Sequence, residues 1–264
     1  GGKIIANALG MNAAGAINVN SATNDVATIA ANTTSGGITY QDANALAVGT
    51  VVASGNFTGA TGITTDAGAV ALTTVAGDIT SSQAITTTST LSNGTASGAV
   101  SITTAAGNIN LGGDIVTTGA NRTVASSGAA SAGGQVDLTA NGGTINVANI
   151  TTSGGNHTGG AAGDNGGSAG AINLTTTGVT KDITLNNALT ALGGTASGSG
   201  TAGTSGAVTL TATGSVSESG SGVINTLNTL TATASTGINL NGNNLVTGLV
   251  TLDNTNGTPS GDIF

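Results

Sequence analysis

The sequence predicts an all-β chain wound as a parallel β-solenoid. It should have about eight coils of 21 to 36 residues, with glycine-rich loops at one corner. Three observations point there: a phrase that recurs in register, apolar residues at strand spacing within each copy, and an unusual composition. Aromatics are 1% and charged residues 5% of 264 residues, with 46 glycines. Charge near 25% is usual for a globular domain.

The recurring phrase is Gly98-Ala99-Val100-Ser101-Ile102-Thr103-Thr104. It returns at Gly134, Gly170 and Gly206, each 36 residues after the last. A strict internal repeat is the signature of a stacked architecture. The pattern, a small residue with apolar residues two and four positions on, extends outward. Gly15 leads to Ile17 and Val19, Gly36 to Ile38 and Tyr40, Gly68 to Val70 and Leu72, and Thr236 to Ile238 and Leu240. Residues 1–264 thus read as a single solenoid segment, with repeat starts at 15, 36, 68, 98, 134, 170, 206 and 236.

Within a repeat, apolar–polar–apolar triplets have the period of a strand with one buried face. Val, Ile and Thr fill them, as pleated structure favours. A second apolar site lies eleven residues past the anchor (Val26, Ile79, Ile109, Ile145), and a third sixteen or seventeen past it (Ile85, Ile115, Ile150). Each coil therefore carries about three short strands, separated by turn pairs such as Gly77-Asp78, Gly107-Asn108 and Gly112-Gly113. Strands this short are stable only if coils stack. Stacking puts Val100, Val136, Ile172 and Val208 in one column and Ile102, Leu138, Leu174 and Leu210 in the next.

Repeat length varies mainly after the third strand, in Gly119–Gly133, Gly154–Ala169 and Gly193–Ser205. These read as loosely packed loops leaving one corner. The other reading stacks them into a lateral ridge, confined to the middle of the rod, that contacts a partner.

Charge and composition exclude several functions. Lys3, Arg122 and Lys181 are the whole basic complement against 11 acids, so no footprint for nucleic acid or anionic lipid exists. No apolar run approaches the ~20 residues of a membrane span. The chain contains no cysteine, hence no disulfide framework or thiolate metal site. It opens at Gly1 without a charged segment ahead of an apolar one. No signal peptide is visible, and the chain reads as an excised piece of something longer.

Motif matches carry little chemistry. Gly166-Gly167-Ser168-Ala169-Gly170 fits a nucleophile elbow, but that needs a strand-to-helix turn and a later histidine; the sole histidine, His157, precedes it. Gly198-Ser199-Gly200-Thr201-Ala202-Gly203 fits a dinucleotide fingerprint, but no helix follows to hold a phosphate. His157 reads as an exposed loop residue with Asp164 as its nearest carboxylate. Asp78, Asp114, Asp137, Asp164 and Asp182 fall at different phases of the repeat, which predicts neither a calcium cluster nor an acid–base pair. Catalytic, cofactor and metal residues are accordingly expected to be none. Asn-x-Ser/Thr occurs at sites that include Asn32, Asn56, Asn93, Asn121, Asn149, Asn156 and Asn256, and such matches are expected by chance at this composition. Thr73-Thr74, Thr103-Thr104 and Thr151-Thr152 suggest ladders on an outer face. An ice-binding solenoid would repeat Thr-x-Thr on one wall, whereas here the positions drift along the sequence.

The units Ser97–Leu111 and Ser205–Ala212, and the tail Leu249–Asn254, resemble filamentous-haemagglutinin-like repeats. The resemblance covers about Gly15 to Asn256. It implies a right-handed three-sided β-helix on a Gram-negative cell surface, as in the stalks of secreted or autotransported adhesins. Family coils are nearer 20 residues, so the longer repeats here depart from the pattern. The resemblance implies a non-catalytic shaft, with a host or neighbouring-cell glycan or protein, or copies of itself, as partner. The alternatives are a subunit of an extracellular filament or sheath, a polysaccharide-active β-helix enzyme of the pectate-lyase type, and an ice-binding solenoid. The enzyme needs clustered acids beside Lys or Arg on one wall, which three scattered cations do not supply.

Overall fold

Alternating Val, Ile, Leu and Thr form parallel strands of two to nine residues that close into stacked coils, and no helix occurs among the described residues. A computed structural model of the chain describes residues 2–91, 94–125, 128–255 and 261–263. It is a parallel β-solenoid with three walls. The first wall is a nine-stranded sheet running from Ile17–Val19 to Val250–Asp253. The other two walls belong to one 16-stranded sheet. They are joined through Asp25–Thr33, which pairs with Leu46–Val48 in one half and Ile63–Thr65 in the other. At ~4.8 Å per rung, nine rungs make a rod of about 40 Å.

The columns read from the repeat are the core. Val100, Val136, Ile172 and Val208 stand in register, as do Ile102, Leu138, Leu174 and Leu210. On the second wall Ile79, Ile109 and Ile145 continue into Ile183, Val216 and Ile238. On the third, Ile85, Ile115 and Ile150 continue into Leu189. All of these side chains are buried. The core is so narrow that aliphatic side chains from facing walls fill it, which is why aromatics are dispensable.

Two placements differ from the sequence reading. Thr236 does not start a first-wall rung: Ile238–Asn239 pairs with Val216–Glu218 on the second wall. After Val208–Thr211 the first wall continues with Leu230–Thr233 and Val250–Asp253, so coil length falls to 22 and then 20 residues. Second-wall strands also follow a glycine (Gly107 before Ile109, Gly214 before Val216), and that shared phrase conceals the phase. The other difference lies in the 32-residue repeat from Gly36. Its extra length sits between the second and third walls, as an antiparallel hairpin of Thr50–Val51 and Ala60–Thr61. The hairpin folds back on the first coil: a Cβ on Gly10 would lie 2.2 Å from the Phe57 ring, and Asn12 Nδ2 donates to Thr58 Oγ1 at 3.1 Å.

Buried threonines close each coil. Thr87, Thr117 and Thr152 end third-wall segments and donate their hydroxyls to the carbonyls of Gly98, Gly134 and Gly170, at 2.5, 2.5 and 2.7 Å. On the first wall Thr74 and Thr104 turn inward and cap Gly77 and Gly107 at 3.0 and 2.7 Å. The second threonine of each pair is therefore interior, and only the first faces out. Thr117→Val keeps the shape but strips the donor from a buried carbonyl. It should cost about 1–3 kcal/mol, measurable as a lowered denaturation midpoint.

Candidate functional site

Three glycine-rich loops leave the corner between the third and first walls, and they are not loose. Their outbound limbs stack coil on coil: Gly119 N–H donates to Ser153 O at 2.8 Å, Gly154 to Leu192 O at 2.9 Å and His157 to Thr195 O at 2.9 Å. The inbound limbs do the same, Gly133 to Ser168 O and Ala169 to Thr204 O, both at 2.8 Å. A third set of bonds laces the limbs together. Ser131 N–H reaches Ala120 O, Gly155 reaches Ser131 O, Gly167 reaches Gly155 O, Gly194 reaches Gly167 O, and Gly203 reaches Gly194 O, at 2.8 to 3.1 Å. This zigzag crosses three coils through backbone groups alone.

Glycine is required there for space. A Cβ on Gly155, Gly167, Gly194 or Gly203 would lie 1.8–2.0 Å from a neighbouring carbonyl oxygen. None of the four has positive φ, so close backbone approach rather than turn geometry selects the residue. The loosely packed reading is thereby overturned, because backbone hydrogen bonds replace the missing side-chain packing. The ridge occupies the three 36-residue repeats and ends where the coils shorten.

At its tip, His157 is 1% exposed, against the exposed position read from the sequence. Its Nδ1 accepts from Gly159 N–H at 3.2 Å, which leaves the ring proton on Nε2, 3.5 Å from Asp164 Oδ1. The other carboxylate oxygen accepts from Ala161 N–H at 2.6 Å. Nε2 makes no hydrogen bond there, and the ring is held by Gly159 and by burial against the carboxylate. A sequence signal was available: the two residues straddle Gly159 and Gly160, where the loop reverses.

The remaining acids are separated and serve as ladder rungs. Asp78 binds Asn108, whose Oδ1 in turn accepts from Thr144 N–H at 2.9 Å. Asp114 binds Asn149 and Asp182 binds Ser215, while Asp137 accepts from Gln135 and Asn173 at 2.8 Å. No group of three or more His, Cys, Asp or Glu side chains gathers among the described residues. Ser168 and Gly198–Gly203 lie within the ridge; Ser168 Oγ contacts Thr204 Oγ1 at 3.0 Å rather than a base. Asn121 and Asn156 are exposed on the ridge and stack, Asn156 N–H donating to Asn121 Oδ1 at 2.8 Å. Asn56 is exposed near the hairpin turn and Asn32 and Asn149 are half-buried. Asn93 and Asn256 lie outside the described residues.

Comparison with protein-family models, curated proteins and solved structures finds no match.

Two buried acids escaped the sequence reading because each occupies an inward position of an ordinary-looking strand. Asp42 stands in register with Thr74. It accepts from the Tyr40 hydroxyl at 2.8 Å and from the amides of Val26 and Asn44 at 3.0 and 2.9 Å. Burial, and then this carboxylate, hold the Tyr40 phenol far above its usual range. Glu218 stands over Leu185, accepting from Gly242 N–H at 2.6 Å and Asn244 Nδ2 at 3.2 Å. Burial raises its pKa above the ordinary value of 4.5, against the opposing effect of those two bonds. A raised folded-state pKa means that the folded form holds the proton more tightly. The stabilisation is complete below the unfolded pKa and is lost as pH rises through the folded one. Protection factors of the amides around Gly242, corrected for the intrinsic rise of exchange with pH, should therefore be higher in mild acid than at neutral pH, and Glu218→Gln should flatten that dependence.

Proposed function

We propose that the chain is a non-catalytic shaft segment of a large secreted or cell-surface adhesin, and that the glycine ridge is its lateral contact surface. The observation that carries this reading is continuity. All three walls run through successive coils, and Asp78, Asp114, Asp137 and Asp182 are engaged by residues of the neighbouring rung. Such a rod gains length by adding coils, each stabilised by its neighbours. The resemblance of Ser97–Leu111 and Ser205–Ala212 to filamentous-haemagglutinin-like repeats agrees with it, and so do the terminal 22- and 20-residue coils, which approach the family length. In the producing cell, antibody raised against the Asn121–Asn156 ridge should label intact cells or the medium. Labelling only after lysis would contradict the proposal. Binding of the ridge to a host or neighbouring-cell glycan or protein is tested by glycan array, with Asn156→Arg as the ridge variant.

A further inference from the structure

The outer face of the first wall holds a threonine column that the linear sequence disguises. Thr73, Thr103, Thr139, Thr175, Thr211 and Thr233 stand in unbroken register over six coils. Unequal coil lengths make these positions drift along the sequence, and the sheet realigns them. Beside them runs a second outward column, Ser101, Asp137, Asn173, Thr209 and Thr231. The rungs lie ~4.8 Å apart along the rod, and the columns about 6.7 Å apart across it. The six threonines face outward and half-exposed. Their inward neighbours Thr74 and Thr104 instead use their hydroxyls on glycine carbonyls. The one charge among the central rungs, Asp137, is occupied by Gln135 and Asn173.

We propose that this face binds ice. A single exposed hydroxyl contact adds little, because it only replaces a hydrogen bond to water. Contacts held in register by one rigid sheet add together only on a ligand that repeats in the same plane. The face carries no cation, and the Asp137 carboxylate at its centre is engaged by the side-chain amides of Gln135 and Asn173, so the rest of the central array is uncharged. A crystalline polysaccharide would meet the repeat but not the chemistry. Sugar faces are gripped by flat aromatic rings, whereas among the described residues Tyr40 is buried and Phe57 packs on Gly10 at the far end of the rod. Ordered water asks only for a flat array of hydroxyls and methyls.

The test is ice growth in the presence of the 264-residue chain, read as thermal hysteresis, crystal faceting and inhibition of recrystallisation. The chain should facet crystals, and Thr139→Lys/Thr175→Lys should lose most of that effect with an unchanged far-UV spectrum. Thr190→Lys, outward on the third wall, should retain it. If the double lysine variant misfolds, Thr139→Ser/Thr175→Ser removes the methyls alone and should still reduce activity several-fold. Ice growth unaffected by the chain overturns the proposal. So does an equal loss in Thr190→Lys, or retention on crystalline cellulose or chitin without any effect on ice.

Discussion

Gly203→Ala should open the ridge while leaving the three walls standing. The added Cβ would lie 1.8 Å from Gly167 O and 2.3 Å from its carbonyl carbon. Both are backbone atoms fixed by the zigzag, so no rotamer change relieves the clash. Overpacking of this kind costs about 3 kcal/mol. It should appear as faster hydrogen exchange at Gly155, Gly167 and Gly194, with the amides of Val100–Thr104 unchanged. Gly142 supplies the contrast. It has φ +76° and nothing within 4 Å of an added Cβ. Its requirement is conformational, and Asn tolerates that region better than other side chains. Gly142→Asn should therefore be mild where Gly203→Asn is as damaging as alanine or worse. Equal effects at the two sites would show that space is not what selects glycine in the ridge.

Leu138→Ala should cost about 2–5 kcal/mol, the range for emptying a closed aliphatic site. Leu138 is 1% exposed and lies between Ile102 below and Leu174 above. A cavity there loosens two coil interfaces at once, because each coil is held by its neighbours. The chain should then unfold in more than one step. Exchange protection should fall at Ile102 and Leu174 but persist at Leu230. A single cooperative transition, merely shifted to lower denaturant, would argue against coil-by-coil stability.

The walls were legible because their information is local: a two-residue alternation with a glycine ahead of it survives any change in loop length. The first-wall columns from Val70 to Val208 follow from that alone. Phase was harder to read. Once the loop vanished after Val223–Thr226, the phrase Thr236-Gly237-Ile238 matched the first wall as well as the second, and only pairing with Val216 separates them. The ridge was legible as position but not as structure. Glycine is usually read as flexibility, and its value here lies in contacts between residues some 36 apart, such as Gly167 with Gly203. His157, Asp42 and Glu218 share a cause. Nothing in a single strand or loop tells an inward polar residue from an outward one until the neighbouring coils are in place. The outer threonines show the converse: a regular object in space is irregular in sequence when its rungs are unequally spaced.

The ridge also has a mechanical consequence. A slender rod bends equally in all directions, but one carrying a fin along part of its length behaves as a girder with a flange. Bending in the plane of the fin must stretch or compress the zigzag from Ala120 to Gly203, which adds its hydrogen bonds to those of the walls. Bending across that plane does not. Beyond Gly206 the flange is gone and the chain returns through the short turn at Leu227-Asn228. Under lateral load the rod should flex there first, and always toward the same side.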